Sequence, residues 1–330
     1  MLTESKPSVP DGERIDNHLT AKEMTAMPLR LRWKELWAYR WLYLFMLPGL
    51  IYFILFKYVP LWGPLMAFKN YQPYIGLLQS EWVGFDHFTR FFTMPDFWML
   101  FKNTLILGLY NIVIFFPITI ILALLLNEVR QEVFKRFVQT LVYVPHFLSW
   151  VVIVGISYVL LSTSDGVINK LLVSAYGGQP VEFLTSTDWF RPMIVLQMIW
   201  KDAGWGTIIF LAALAGVNLQ LYEAARMDGA NRMQSLWHIT LPSIRSIIVI
   251  LFILRLGAFL DLGFEQIFLM LNPVNREVGE VFDTYVYRVG LQQGQFSYST
   301  AVGLFKSVVG LVLVLVANKV AKWFGEEGIY

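Results

Sequence analysis

The 330-residue chain contains no cysteine. That excludes a disulfide framework and every thiolate metal site. Histidine is scarce, and His18, His87, His146 and His238 are scattered without metal-ligand spacing. His146 follows Pro145 at the start of a hydrophobic run, where packing or hydrogen bonding is its expected role. Charged residues make up only 15% of the chain, against roughly 25% in soluble domains. The net charge of +2 leaves no basic field that would attract nucleic acid. No G-x-x-x-x-G-K-S/T phosphate loop is present, so ATP hydrolysis by the usual means is excluded. No nucleophile, base and orienting group fall into a catalytic set. The chain offers no cofactor site of its own.

What is abundant is apolar surface. Hydrophobic residues reach 56% and aromatics 16%. A soluble core of this size cannot hide so much, but a bilayer can. A membrane span needs about 20 largely apolar residues. Six segments qualify: Trp41–Val59, Asn103–Leu126, Phe137–Leu161, Met193–Val217, Ser246–Leu271 and Thr300–Trp323. Backbone in lipid must satisfy its own hydrogen bonds, so these are helices. Pro48, Pro117 and Gly155 lie inside spans, where neighbouring helices tolerate them. The expected fold is all-α: a polytopic membrane protein of about six transmembrane helices.

The flanks and connections fill in the organisation. Residues 1–28 are polar, with no apolar signal-peptide core, and read as a flexible cytoplasmic tail. Residues 29–40 mix basic and aromatic side chains, as an interfacial helix does. A membrane domain over 41–323 follows, with a loop over 218–242 and a short tail over 324–330. Basic residues near helix ends set the orientation. Arg40, Arg130, Lys135, Arg136, Arg226, Arg232, Arg245, Lys319 and Lys322 share one side if both termini are cytoplasmic. Lys69, Arg90, Lys170, Arg276 and Arg288 are spread thinly over the opposite side. The segments 69–97, 162–192 and 272–298 are expected as outside loops, each long enough for short helices that touch a partner.

The fourth connection, LQLYEAARMDGANRMQSLWHITLP (219–242), has the pattern of a helix-turn-helix. Ala224 and Ala225 favour helix and have little bulk, so another surface can approach closely. Asp228-Gly229 signals a turn, with Gly229 ending the first helix. Asn231 is placed to cap the second. Met233, Leu236, Trp237 and Leu241 recur at helical spacing. Pro242 stands at the entry to the next span.

Here the sequence resembles a known family. Glu223-Ala224-Ala225, then Asp228-Gly229-Ala230, then Ile239, Leu241 and Pro242 are similar to the EAA signature of permease subunits of binding-protein-dependent ABC importers. Where that family has Ile-Pro before the signature, this chain has Asn218-Leu219. The stretches WKDAGWGTIIFLAAL (200–214), FEQIFLMLNP (264–273), DTYVYRVG (283–290) and YSTAVGLFKSVVGLVL (298–313) look like the carbohydrate-uptake branch, in particular its complex-oligosaccharide permeases. The resemblance implies a type I importer permease fold in a bacterial cell membrane. It implies that Glu223, Ala224, Ala225, Asp228, Gly229, Ala230, Leu241 and Pro242 couple to a separate ATPase. The implied partners are a second homologous permease, two ATP-binding subunits that carry ATP and Mg, an extracytoplasmic solute-binding protein and an oligosaccharide.

Charges inside spans are costly and mark cavities or internal pairs. Lys201 and Asp202 fall in the fourth span, Arg255, Asp261 and Glu265 in the fifth, and Lys306 in the sixth. On one helix Asp261 and Glu265 would share a face. Two readings stay open. Lys201 or Lys306 pairs with Asp261 or Glu265 to hold helices together, or the polar and aromatic groups line a sugar path. In the resembled permeases the spans around the coupling loop line the cavity, which selects Phe147, Ser149, Trp150, Lys201, Asp202, Trp205, Asp261 and Glu265. Lys201 and Lys306 also raise the idea of an acidic, uronate-containing sugar. Arg255 is the residue set apart for pairing across a subunit interface. The rival readings are an ion-gradient-driven secondary transporter, which needs broken helices and paired repeats, and a membrane scaffold or intramembrane enzyme. No such repeats are visible.

Overall fold

The structure, a computed structural model, describes residues 37–323 and 325. The expected tail over 1–28 and most of the interfacial segment 29–40 lie outside the described residues, as does the tail 324–330 apart from Gly325. The chain divides into two units, one ending at Trp62 and the other beginning at Gly63. The first span, α1 (Arg40–Phe68), is apolar along its length and keeps Pro48 inside an unbroken helix.

After α1 come two short antiparallel strands, β1 (Lys69–Asn70) and β2 (Glu81–Trp82). A helix α2 (Asp86–Thr93) leads into α3 (Phe97–Glu128). A wide π-type turn over Asn111–Phe115 precedes Pro117 in α3. Proline has no N–H to give the preceding turn, and such a turn re-routes the ladder without breaking the helix. Then come α4 (Glu132–Phe147) and α5 (Trp150–Leu161), which meet at 102°, and the short α6 (Val167–Tyr176). The long α7 (Thr187–Ala215) is followed by α8 (Leu219–Met227). A second bent pair, α9 (Arg232–Ser243) and α10 (Arg245–Gly257), turns by 62°. Short helices α11 (Phe264–Met270), α12 (Arg276–Gly279) and α13 (Phe282–Tyr287) precede α14 (Phe296–Trp323). Among the described residues four helices are long and apolar enough to cross a bilayer, and up to six spans result if each bent pair is counted as one.

Two expected spans differ from the structure. The third is not straight from Phe137 to Leu161. Pro145 ends regular helix, Leu148 is extended, and Ser149 restarts the chain by accepting from the Val152 N–H at 3.3 Å. The fifth does not run from Ser246 to Leu271. It stops at Gly257 and resumes only at Phe264, across a break whose last residue, Gly263, has φ +79°. An apolar run reads the same whether or not its helix is interrupted, so hydropathy did not reveal either break.

The expected outside loop 272–298 is also partly core. Gly279, Glu280, Val281, Phe282, Thr284, Tyr285 and Val289 are buried. Of these, Phe282, Tyr285 and Val289 pack with Phe91, Phe97, Leu100, Tyr298 and Val302 in one largely aromatic cluster. Helices in a membrane gain little from hydrophobicity alone, so close packing and polar pairing carry the association. Gly204 illustrates the closeness: a Cβ there would lie 2.2 Å from the Val142 carbonyl oxygen on α4. Buried amides add the polar part. Asn103 donates to the Glu277 and Glu280 carbonyls, and Gln266 bridges Ile194 O and Gln197, which reaches Ser157.

Candidate functional site

The loop between α7 and α10 is built by local hydrogen bonds. Asn218 caps α8, its side-chain oxygen accepting from Gln220 N–H at 2.9 Å. At the far end Gly229 adopts φ +79°, Gly229 N–H donates to Arg226 O, and Ala230 N–H donates to Ala225 O at 2.9 Å. This pair of bonds is the Schellman closure, and it wants glycine at the left-handed position. Asn231 and Gln234 then cap each other's backbone at 2.9 and 2.8 Å. The two turn signals in the sequence thus act as expected. No Cβ contact lies within 4 Å of Gly229, so its neighbourhood is open space.

Glu223, Ala224, Asp228 and Gly229 are exposed, with Ala225 and Ala230 half-buried. Leu241 is half-buried and Pro242 exposed at the first turn that follows a π-type turn over Leu236–Thr240. Met227, Met233 and Trp237 put apolar surface beside them, Met227 at 89% exposure. Behind α8, a cleft of about 400 Å³ is lined by Glu128, Arg130, Glu223, Arg226 and Arg232 among others. Tyr222 and Thr240 join the two halves of the loop by a 2.9 Å hydroxyl bond. The arrangement is a stiff knuckle with small residues and mixed charge on its outer surface.

The second constellation surrounds the α4–α5 bend. The buried ammonium of Lys201 donates to His146 O at 2.7 Å and Leu148 O at 2.6 Å. These carbonyls are orphaned where α4 ends, so Lys201 caps a helix C-terminus with a cation. It also lies 5.4 Å over the Trp150 ring. Its neighbour Asp202 bonds His146 Nδ1 at 2.8 Å. His146 stacks on Trp205, centroids 4.4 Å apart, and Phe147 meets Trp205 edge-on. Phe147, Ser149 and Trp205 are exposed, and Trp150 is half-buried. The structure therefore gathers Phe147, Ser149, Trp150, Lys201, Asp202 and Trp205 in one place, and adds His146 as their hub.

Asp261 and Glu265 belong elsewhere. Asp261 lies in the break after α10, and Gly263 prevents it from sharing a helix face with Glu265. Its carboxylate pairs with Lys306 at 2.8 Å, and Lys306 also pairs with Asp283. Of the expected pairings, Lys306 with Asp261 is present, whereas Lys201 pairs with neither acid. Glu265 is exposed in the first turn of α11. Arg255, expected at a subunit interface, bonds Asn111 of its own chain at 2.5 Å. The buried Glu280, clasped by Arg276 and Arg288, had no sequence signal beyond its charge.

The described residues thus form membrane-length helices with a capped knuckle between two of them. The chain belongs to the family of binding-protein-dependent transport system inner membrane components, whose family model matches residues 115–326. Among its relatives, the polygalacturonan/rhamnogalacturonan transport system permease protein YteP of Bacillus subtilis (strain 168) is 61% identical over 291 residues, 88% of this chain and 90% of that one. A solved bacterial alginate ABC transporter, in complex with an alginate-pentasaccharide-bound periplasmic protein, contains a chain of 41% identity and TM-score 0.82, covering 90% of this chain and 99% of its own. A second structure, of a bacterial ABC transporter involved in import of the acidic polysaccharide alginate, matches at 43% identity and TM-score 0.81, over 89% and 98%. The fold is that of type I ABC importer permeases.

Proposed function

We propose that this chain is one of two membrane-spanning permeases of an ATP-driven importer that carries an acidic oligosaccharide into the cell. The knuckle from Leu219 to Pro242 is its coupling element. Glu223, Ala224, Ala225, Asp228, Gly229, Ala230, Leu241 and Pro242 face a cleft of a separate ATP-binding subunit on the cytoplasmic side. A second, homologous permease completes the pore, two ATP-binding subunits with ATP and Mg sit beneath, and an extracytoplasmic solute-binding protein delivers the sugar. Closure of the ATPases pushes the knuckle, and the spans rock about the central path. The observation that carries this reading is the doubly capped, exposed knuckle in a chain of this family. A lever must stay rigid under load, and two caps give it that stiffness.

The sugar path runs by the His146, Phe147, Ser149, Trp150, Asp202 and Trp205 group. Exposed aromatic faces beside polar groups suit a sugar, which stacks its apolar ring face and hydrogen-bonds at its rim. Lys201 supports that path by holding the bend, and Asp261 and Glu265 lie apart from this group, Asp261 being paired with Lys306. The acidic class rests on the named substrates of the relatives and not on Lys201 or Lys306, since both ammonium groups are committed within the chain.

The test is Gly229→Asp in the whole importer. Substrate uptake is expected to fall by at least about 100-fold while the chain remains in the membrane, because a side chain enters the docking surface at a left-handed position. Unchanged uptake would sink the coupling assignment. Because the chain lacks cysteine, Ala224→Cys provides a single label; its modification from the outer medium would reverse the orientation.

A further inference from the structure

A chain of uronate rings carries a carboxylate on each ring, so a membrane path for it must present a cation whose donors are open. Lys201 is buried and donates to two carbonyls. Lys306 is buried between Asp261 and Asp283. Arg255, near the end of α10, differs from both. It is half-buried, its Nε–H donates to Asn111 Oδ1, and its guanidinium lies 4.7 Å from the Phe115 ring centroid. These two contacts fix the plane of the guanidinium. The Nη groups have no acceptor among the described residues, and the one buried side-chain polar atom lacking a partner there belongs to Gln295. The Nη donors are therefore open to whatever fills the adjoining space.

That space adjoins the aromatic group already described. Asn111 Nδ2 reaches Met198 Sδ at 3.3 Å. Met198, Asp202 and Trp205 recur at i, i+4 and i+7, one face of α7. Asp202 holds His146 against Trp205. A strip thus runs Arg255, Asn111, Met198, Asp202, His146, Trp205. An intramembrane cation with open donors is costly unless it faces water or an anion. Guanidinium also presents a planar fork that matches a carboxylate in bidentate fashion.

We propose that Arg255 is the specificity-determining residue for the acidic sugar, receiving a ring carboxylate on its Nη donors while the neighbouring ring stacks at Phe147 and Trp205. Asn111 and Phe115 are its positioning residues. The Asp202 carboxylate further along the strip repels the same ring carboxylate, so that the sugar leaves as well as enters. This inference rests on the acidic-oligosaccharide reading above.

The experiment uses vesicles holding the whole importer with its solute-binding protein and trigalacturonate as the probe. Uptake and binding-protein-stimulated ATP hydrolysis are measured together. Arg255→Gln is expected to lower uptake at least about tenfold while stimulated hydrolysis changes less than about twofold, and Arg255→Lys to recover part of the loss. Equal loss of uptake and hydrolysis would assign Arg255 a structural or subunit-interface role and overturn the inference. Unchanged uptake in Arg255→Gln would overturn it as well. Wild-type vesicles that fail to import trigalacturonate would instead reject the acidic reading on which it stands. If Arg255→Gln does not assemble, Asn111→Ala decides. A drop of about three- to fivefold in uptake alone supports the inference, and parallel loss of both activities rejects it.

Discussion

The chain stops one helix and starts another at Gly229 and again at Leu148, and it solves the two breaks in opposite ways. At Gly229 the caps themselves come from within five residues: Ala230 to Ala225, Gly229 to Arg226, and Asn231 with Gln234. At Leu148 the free carbonyls are met by Lys201, 53 and 55 residues further along the chain. The first break is self-contained and leaves its outer surface free for another protein. The second is a tertiary structure in its own right, and it shapes the space where His146, Phe147 and Trp205 meet. The first break is stiffened locally, and the second is held from across the bundle.

This contrast predicts where stability resides. Lys201→Met removes the donor for two carbonyls at once, and unsatisfied groups of this kind cost about 1–3 kcal/mol each. The expected loss is the largest of the set, about 2–5 kcal/mol in thermal unfolding of the detergent-solubilised complex. A variant as stable as wild type would show that the bend holds itself. Lys306→Met should follow, at about 1–3 kcal/mol, because it leaves the Asp283 carboxylate unpaired beside a cavity of about 220 Å³. Asp261→Asn should cost under about 1 kcal/mol by the same measurement, since the Asp261 side chain is 73% exposed. Smallest in reach is Asn231→Ala, which removes one cap for about 1 kcal/mol and acts only on the knuckle. Hydrogen exchange confined to residues 231–235 would report it, and exchange spreading to α7 would erase the distinction between the two breaks.

The two breaks also divide what could be read in advance. Asp228-Gly229 and Asn231 with Gln234 are neighbours whose chemistry is complete in the sequence, so the knuckle was legible residue by residue. The α4–α5 bend had only Pro145 as a sign, and the α10–α11 break only Gly257 and Gly263. Lys201 and Asp202 were recognisable as intramembrane charges, yet their partners were not. Asp261 and Glu265 looked like one helical face because nothing in an apolar window marks an interruption.

The sequence by itself determined the solvent of this protein, the approximate number of its spans, and the helix-turn-helix that ties it to its family. Those properties follow from hydropathy, from backbone needs in lipid, and from turn chemistry acting over a few residues. Tertiary structure alone decided how the cations Lys201, Lys306 and Arg255 are engaged. The reach of Lys201 to His146, of Lys306 to Asp261, and of Arg255 to Asn111 spans 55, 45 and 144 residues. Pairings over such separations are set by how helices pack, and packing is a property of the whole bundle rather than of any stretch within it.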